Sequence, residues 1–261
     1  MEKIVFIKND SYFIPGVYTY PDTNGKYPAV LLLHGLLSCK SGDGFMLEKI
    51  AEALAKNGIA SLRIDFCSCG ESRRSRRDYN ILSLTKEAKT AYKHMQDNEL
   101  IDKNRIAILG HSYGGVIAFK TADLNPKCII TLNGAMTSNL YEDYLQTKDE
   151  YLIDKNGYKY TLIPQSDGRI ELMYSNFFEL HIKHNNNYPK YDGRILMCIG
   201  VNDPRISPED GKKFFDSLEN ENKELIIIDD ANHTFNAKTL DYTKLNELMD
   251  KVNEWLNKNL K

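Results

Sequence analysis

Short, continuous apolar runs recur along this chain, and most of them alternate with stretches of helical periodicity. The runs fall at Lys3 to Ile7, Tyr12 to Tyr20, Ala29 to His34, Ala60 to Asp65, Arg105 to Leu109, Cys128 to Leu132, Arg194 to Ile199 and Glu224 to Ile228. Helical patterns lie between the later ones: Phe45 to Lys56, Leu82 to Gln96, Val116 to Leu124, Pro208 to Leu218 and Tyr242 to Asn257. A strand without polar alternation must be covered on both faces, and strands separated by helices pair in parallel through crossovers. The pattern predicts an α/β fold with about eight mostly parallel strands and helices on both faces.

Two places break the alternation. The first two runs are separated only by Lys8 to Ser11, which predicts an antiparallel hairpin at the sheet edge. Pro15 and Gly16 then suggest an edge position or a bulge for its second strand. The stretch 137–190 is rich in Tyr, Asn, Lys and Asp, with a hairpin signal from Tyr151 to Tyr160 turning at Asn156-Gly157. So long a structureless loop is improbable in a compact domain. We therefore read 1–136 and 191–261 as one core and 137–190 as an inserted lid.

At 261 residues, 42% hydrophobic and 27% charged with a net charge of -2, the composition suits one large domain and implies no nucleic-acid partner. The amino-terminal apolar run is too brief for a signal peptide or a membrane span, so a cytoplasmic protein without a membrane partner is expected. The five cysteines fit reduced thiols, and the lone Cys67-x-Cys69 lacks the second pair that a metal site needs. No metal is expected.

Gly110-His111-Ser112-Tyr113-Gly114 follows the run Arg105 to Leu109 and precedes a helical stretch. Strand, serine between glycines, then helix is the pattern of a nucleophile elbow, in which the serine sits on a strained turn above a helix amino end. A serine hydroxyl needs a base, and the base needs a carboxylate to fix its tautomer. Of the downstream histidines, His181 and His184 fall in the insertion, whereas His233 follows the last strand. Asp203 follows the strand Arg194 to Ile199 at the same end of the sheet. Asp229 and Asp230 are close enough to His233 to shape its turn instead, and Asp192 precedes its strand. The amides of Tyr113 and of Leu36, in the loop after Leu33-His34-Gly35, are the candidate oxyanion donors. The His34 side chain either holds that loop or meets substrate.

With these residues in place, the chain resembles the α/β-hydrolase superfamily, and within it the small bacterial cinnamoyl and feruloyl esterases. The resemblance rests on His34-Gly35-Leu36, Asp65-Phe66 with Gly70-Glu71-Ser72, the elbow, Asp203, and Asn232-His233-Thr234-Phe235. It implies a serine esterase that forms an acyl-enzyme with a small-molecule ester and needs no cofactor. A thioesterase, an acyltransferase, a small-peptide peptidase and a non-catalytic binding module remain alternatives. Oligomeric state stays open, a homodimer included. Ser68 stands where the family keeps a glycine, which predicts a different course for that loop. The basic run Arg73-Arg74-Ser75-Arg76-Arg77 reads either as an attractor of acidic partners or as a solvated loop. Tyr141, Tyr144, Phe177 and Phe178 either line an acyl or aryl pocket or form the lid's own core.

Overall fold

The computed structural model describes residues 1–23, 25–136, 151–164, 168–185 and 187–261. Eight strands form the central sheet: β1 (Glu2–Asn9), β2 (Tyr12–Thr19), β3 (Tyr27–Leu33), β4 (Ala60–Ile64), β5 (Ile101–His111), β6 (Cys128–Leu132), β10 (Arg194–Gly200) and β11 (Lys223–Ile228). Their spatial order is β1-β2-β4-β3-β5-β6-β10-β11. From β4 to β11 every neighbouring pair is parallel; β1/β2 and β2/β4 are antiparallel.

Alternate residues of the central strands point to opposite faces, so each continuous apolar run supplies two cores. Leu31, Leu33, Ile106 and Ile108 pack on one side, with α2 (Ile81–Gln96) and α3 (Tyr113–Lys120). Val30, Leu32, Ala107 and Leu109 pack on the other, with α1 (Met46–Lys56) and the helix Thr243–Asn259. Among the described residues no helix is long and apolar enough to cross a membrane.

The hairpin lies at the edge as expected, but β2 does not: it is second in the sheet, between β1 and β4. Pro15 is tolerated because its carbonyl accepts from the Asp65 amide, just past the end of β4. A residue's N and C=O face the same neighbour in an antiparallel strand, so the missing N–H falls where that ladder stops. The helix after Ser112 also starts earlier than the periodicity suggests, since Gly114 and Gly115 hide its first turn.

Between β6 and β10 the chain builds a separate three-stranded antiparallel sheet: β7 (Leu152–Ile153), β8 (Lys159–Pro164) and β9 (Ile170–Tyr174). The turn at Asn156-Gly157 is where the sequence places it, with the Asp154 carboxylate accepting from the amides of Asn156 and Tyr158 at 2.8 and 3.0 Å. The helix α4 (Ser175–His184) follows and joins the main core. Phe177 and Phe178 are fully buried there, and the Phe177 ring lies 5.4 Å from that of Tyr113 and 5.8 Å from that of Tyr79. Tyr141 and Tyr144 lie outside the described residues.

Candidate active site

Ser112 directly follows β5 at φ 53° and ψ −120°, a conformation that L side chains rarely adopt. Three hydrogen bonds hold it there: its amide to Leu132 O at 2.9 Å, and its carbonyl accepting from Gly115 at 2.9 Å and Ala135 at 3.1 Å. The flanking glycines are obligatory, because a Cβ at Gly110 would overlap the Gly114 carbonyl and one at Gly114 would overlap that of Leu33. The hydroxyl-bearing carbon therefore stands at the carboxyl end of the sheet, with Tyr113 as the first residue of α3.

The last two strands of the sheet, β10 and β11, carry the other two residues. After β10, the Asp203 side chain is wholly buried, and its Oδ1 accepts from the amides of Arg205 and Ile206 at 2.8 and 3.0 Å. Its Oδ2 lies 2.7 Å from His233 Nδ1. A carboxylate can only accept, so Nδ1 carries the proton and the lone pair of the imidazole falls on Nε2. The His233 loop is wound tightly by Asn232, whose Oδ1 accepts from the amides of Thr234 and Asn236 at 3.0 and 2.9 Å.

Two residues that the sequence reading passed over fix this loop against Ser112. The neutral His111 donates from Nε2 to the His233 carbonyl at 2.9 Å, and the two rings lie 4.8 Å apart. Burial, with the His233 charge adding to it, pushes the His111 pKa down to about 4, so it stays neutral. Asn133, directly after β6, donates to the carbonyls of Asn232 and His233 at 3.1 and 3.0 Å and accepts from Gly200 N at 2.8 Å. The acid loop and the histidine loop thus share one buried amide. Its signal in sequence was weak: a lone Asn-Gly after a strand.

The loop after β3 faces the elbow from the other side. A Cβ at Gly35 would come within 3.1 Å of Ser112 Cβ, so glycine lets this loop pass close to the elbow without crowding it. His34 is buried, with Nδ1 donating to Gly35 O at 2.8 Å and Nε2 accepting from Phe66 N at 3.0 Å. Both ring nitrogens are engaged inside the protein, which fits the loop-holding role. Further along, Leu37 N donates to Tyr79 Oη at 3.1 Å and Lys40 N to the buried Asp65 at 2.7 Å. Asp65 also pairs with the Lys40 ammonium at 2.6 Å. Burial opposes the charge on Lys40, but the bonds to Asp65 and Glu71 outweigh it and raise its pKa.

In the loop after β4, Ser68 adopts φ 61°, a conformation that favours glycine. Cys67 N is held by the buried Glu87 of α2 at 2.8 Å, and Tyr12 Oη donates to the same carboxylate at 2.8 Å. Burial raises the Glu87 pKa to about 7 against these bonds. Arg73 of the basic run is exposed, and the other three arginines have partners within the protein. Arg76 pairs with Glu171 of β9 at 3.0 Å, while Arg74 and Arg77 lie over the rings of Tyr12 and Tyr158 at 4.1 and 4.5 Å.

An elbow serine, a histidine oriented by a buried carboxylate and a glycine-turned loop at one end of such a sheet define an α/β-hydrolase of the esterase class. The chain belongs to the prolyl oligopeptidase family, whose model matches residues 84–261, and to the FrsA-like esterases, whose model matches residues 1–154. It is 25% identical over 256 residues to an uncharacterised 31.7 kDa protein of the traX-finO intergenic region of Escherichia coli, covering 83% of this chain and 86% of that one. It is 25% identical over 242 residues to the esterase EstD of Thermotoga maritima, covering 84% of this chain and 57% of EstD. Among solved structures, Est1E from Butyrivibrio proteoclasticus with ferulic acid bound matches with a TM-score of 0.78 at 19% identity, over 98% of each chain.

Proposed function

We propose that the protein hydrolyses carboxylic esters through Ser112, His233 and Asp203. The observation that carries this reading is the 2.7 Å bond from His233 Nδ1 to a fully buried Asp203, on a loop bonded to His111, the last residue of the strand before Ser112. His233 Nε2 takes the Ser112 proton as Oγ attacks the ester carbonyl, and Asp203 stabilises the imidazolium that forms. The amides of Leu36 and Tyr113 hold the oxyanion, the first beside Gly35 and the second at the start of α3. His233 then protonates the departing alcohol. Water, activated by the same imidazole, releases the acid from Ser112.

For the acyl group, the reading is a short-chain or hydroxycinnamoyl-type ester, supported by the fold shared with a protein that binds ferulic acid. The insertion over 137–190 is read as the lid that selects it. A second reading, cleavage of short peptides on the same residues, is favoured by the prolyl oligopeptidase match over 84–261.

A fluorophosphonate probe tests the nucleophile: wild type labels and Ser112→Ala does not, whereas equal labelling of the two rejects the assignment. Turnover of p-nitrophenyl acetate, butyrate and octanoate, methyl ferulate, an acyl-CoA and an aminoacyl nitroanilide separates the substrate classes. Preference for the nitroanilide replaces the ester reading with the peptidase one. Preference for acyl-CoA indicates a thioesterase, and acyl transfer to an added alcohol in place of water an acyltransferase.

A further inference from the structure

β1 is the edge strand of the central sheet and pairs with β2 alone among the described residues. Its two faces differ. Ile7 and Asn9 are buried, and the Asn9 side chain accepts from Thr90 of α2 at 3.1 Å. On the opposite face stand Glu2, Ile4, Phe6 and Lys8, with Ile4 68% and Phe6 62% exposed. Phe13 of β2, paired with Lys8 and 58% exposed, extends the apolar patch by one diagonal step from Phe6. A long edge strand carrying exposed aromatics is a template for pairing with another strand.

We propose that this edge pairs antiparallel with β1 of a second copy of the chain, about a two-fold axis through Val5, to make one continuous sheet across a homodimer. The sequence of the strand selects both the partner and the register. A two-fold axis normal to the sheet keeps the faces aligned, so residues of the exposed face meet residues of the exposed face. Centred on Val5, Ile4 stands opposite the second copy's Phe6, and Glu2, whose carboxylate also accepts from Arg63 and Thr19 of its own sheet, stands opposite its Lys8, each pair occurring twice. Centred on Phe6, Ile4 would meet Lys8; centred on Ile4, Phe6 would meet Glu2. Only the Val5 register matches apolar with apolar and acid with base. The edge is thus complementary to itself, and the pairing is independent of the chemistry at Ser112.

Sedimentation velocity from nanomolar to high micromolar concentration tests it, with p-nitrophenyl acetate turnover and the melting temperature as checks that each chain is folded. Wild type is expected to sediment at twice the chain mass. Ile4→Lys and Phe6→Glu, each alone, set a charge against an apolar partner twice per dimer and raise the dissociation constant about tenfold or more. Mixed one to one, the two variants restore association, because Lys at position 4 of one chain then faces Glu at position 6 of the other. A wild type that stays monomeric, or pairs with some other protein instead, overturns the proposal. So does a dimer indifferent to both substitutions, or a mixture that fails to reassociate.

Discussion

The carboxyl end of the central sheet and the insertion that follows β6 lie side by side but are held by different means. At the sheet end, Ser112, Asn133, Asp203 and His233 sit on turns whose backbone groups are bonded to one another, between strands buried on both faces. Between β6 and β10, α4 joins the core together with Ile163 of β8 and Met173 of β9, whereas both residues of β7 are exposed and the outer part of the small sheet is tied down by side-chain pairs such as Arg76 with Glu171. Rigid turns fix reacting atoms to within fractions of an ångström, whereas side-chain ties leave a surface free to vary. The difference predicts that changes at the sheet end act on turnover and changes in the insertion act on binding or stability.

The largest effect is expected at Ser112. Ser112→Ala lowers kcat by about 10^5- to 10^6-fold in an ester assay, as when a catalytic serine is removed elsewhere. Ser112→Gly is equally inactive yet more stable than Ser112→Ala by about 1–2 kcal/mol in chemical denaturation, because glycine accepts the positive φ without strain. If the two variants are equally stable, the elbow stores no strain. Asp203→Asn follows, with kcat reduced about 10^4-fold and little change in KM, since the amide favours the wrong histidine tautomer.

Asn133→Ala is expected to lower kcat about tenfold to a hundredfold and stability by about 2–4 kcal/mol, as it unties both loops at once. Steady-state kinetics and urea melts read the two effects. A variant that loses stability without turnover would separate the loop ties from the chemistry and break the comparison.

The parallel core was legible because apolar runs such as Leu31 to Leu33 are short and alternate with helical patterns, which favours strands buried on both sides over buried helices. The gathering of Ser112, Asp203 and His233 at one end of the sheet was legible because each follows such a run. Asn133, His111 and Glu87 were not. They act through backbone carbonyls and amides of residues distant in sequence, and a polar side chain carries no mark of the partner it will find. The partners of the basic run were hidden for the same reason, since they come from β2 and from the segment after β6. Proline in β2 misled because its missing donor faces a strand that has already ended.

Glu87 offers a pH-dependent test of the sheet end. Its folded-state pKa of about 7 lies above the ordinary 4.5, chiefly through burial, so the folded protein keeps this proton longer than the unfolded chain. Stability contributed by this group is therefore complete below about 4.5 and declines as pH rises toward about 7. Glu87→Gln does not titrate. Its melting temperature relative to wild type should rise across that window and level off above it, with kcat nearly unchanged. A difference that stays flat with pH would mean that Glu87 remains ionised throughout.

The smallest effect should come from the insertion's own tie. Arg76 and Glu171 are each about 20% exposed, so their attraction is partly screened and the pair is worth about 0.5–1 kcal/mol. Glu171→Gln lowers the melting temperature slightly at low salt, and the deficit shrinks at high salt as the wild-type pair is screened. Turnover of a small ester such as p-nitrophenyl acetate should not change, because nothing at Ser112, Asp203 or His233 leans on this pair. KM for a bulkier ester can shift, since β9 runs directly into α4 and its buried Phe177. Should kcat for the small ester fall instead, the insertion would be part of the catalytic frame, and the division between rigid turns and adjustable surface would fail at its weakest joint.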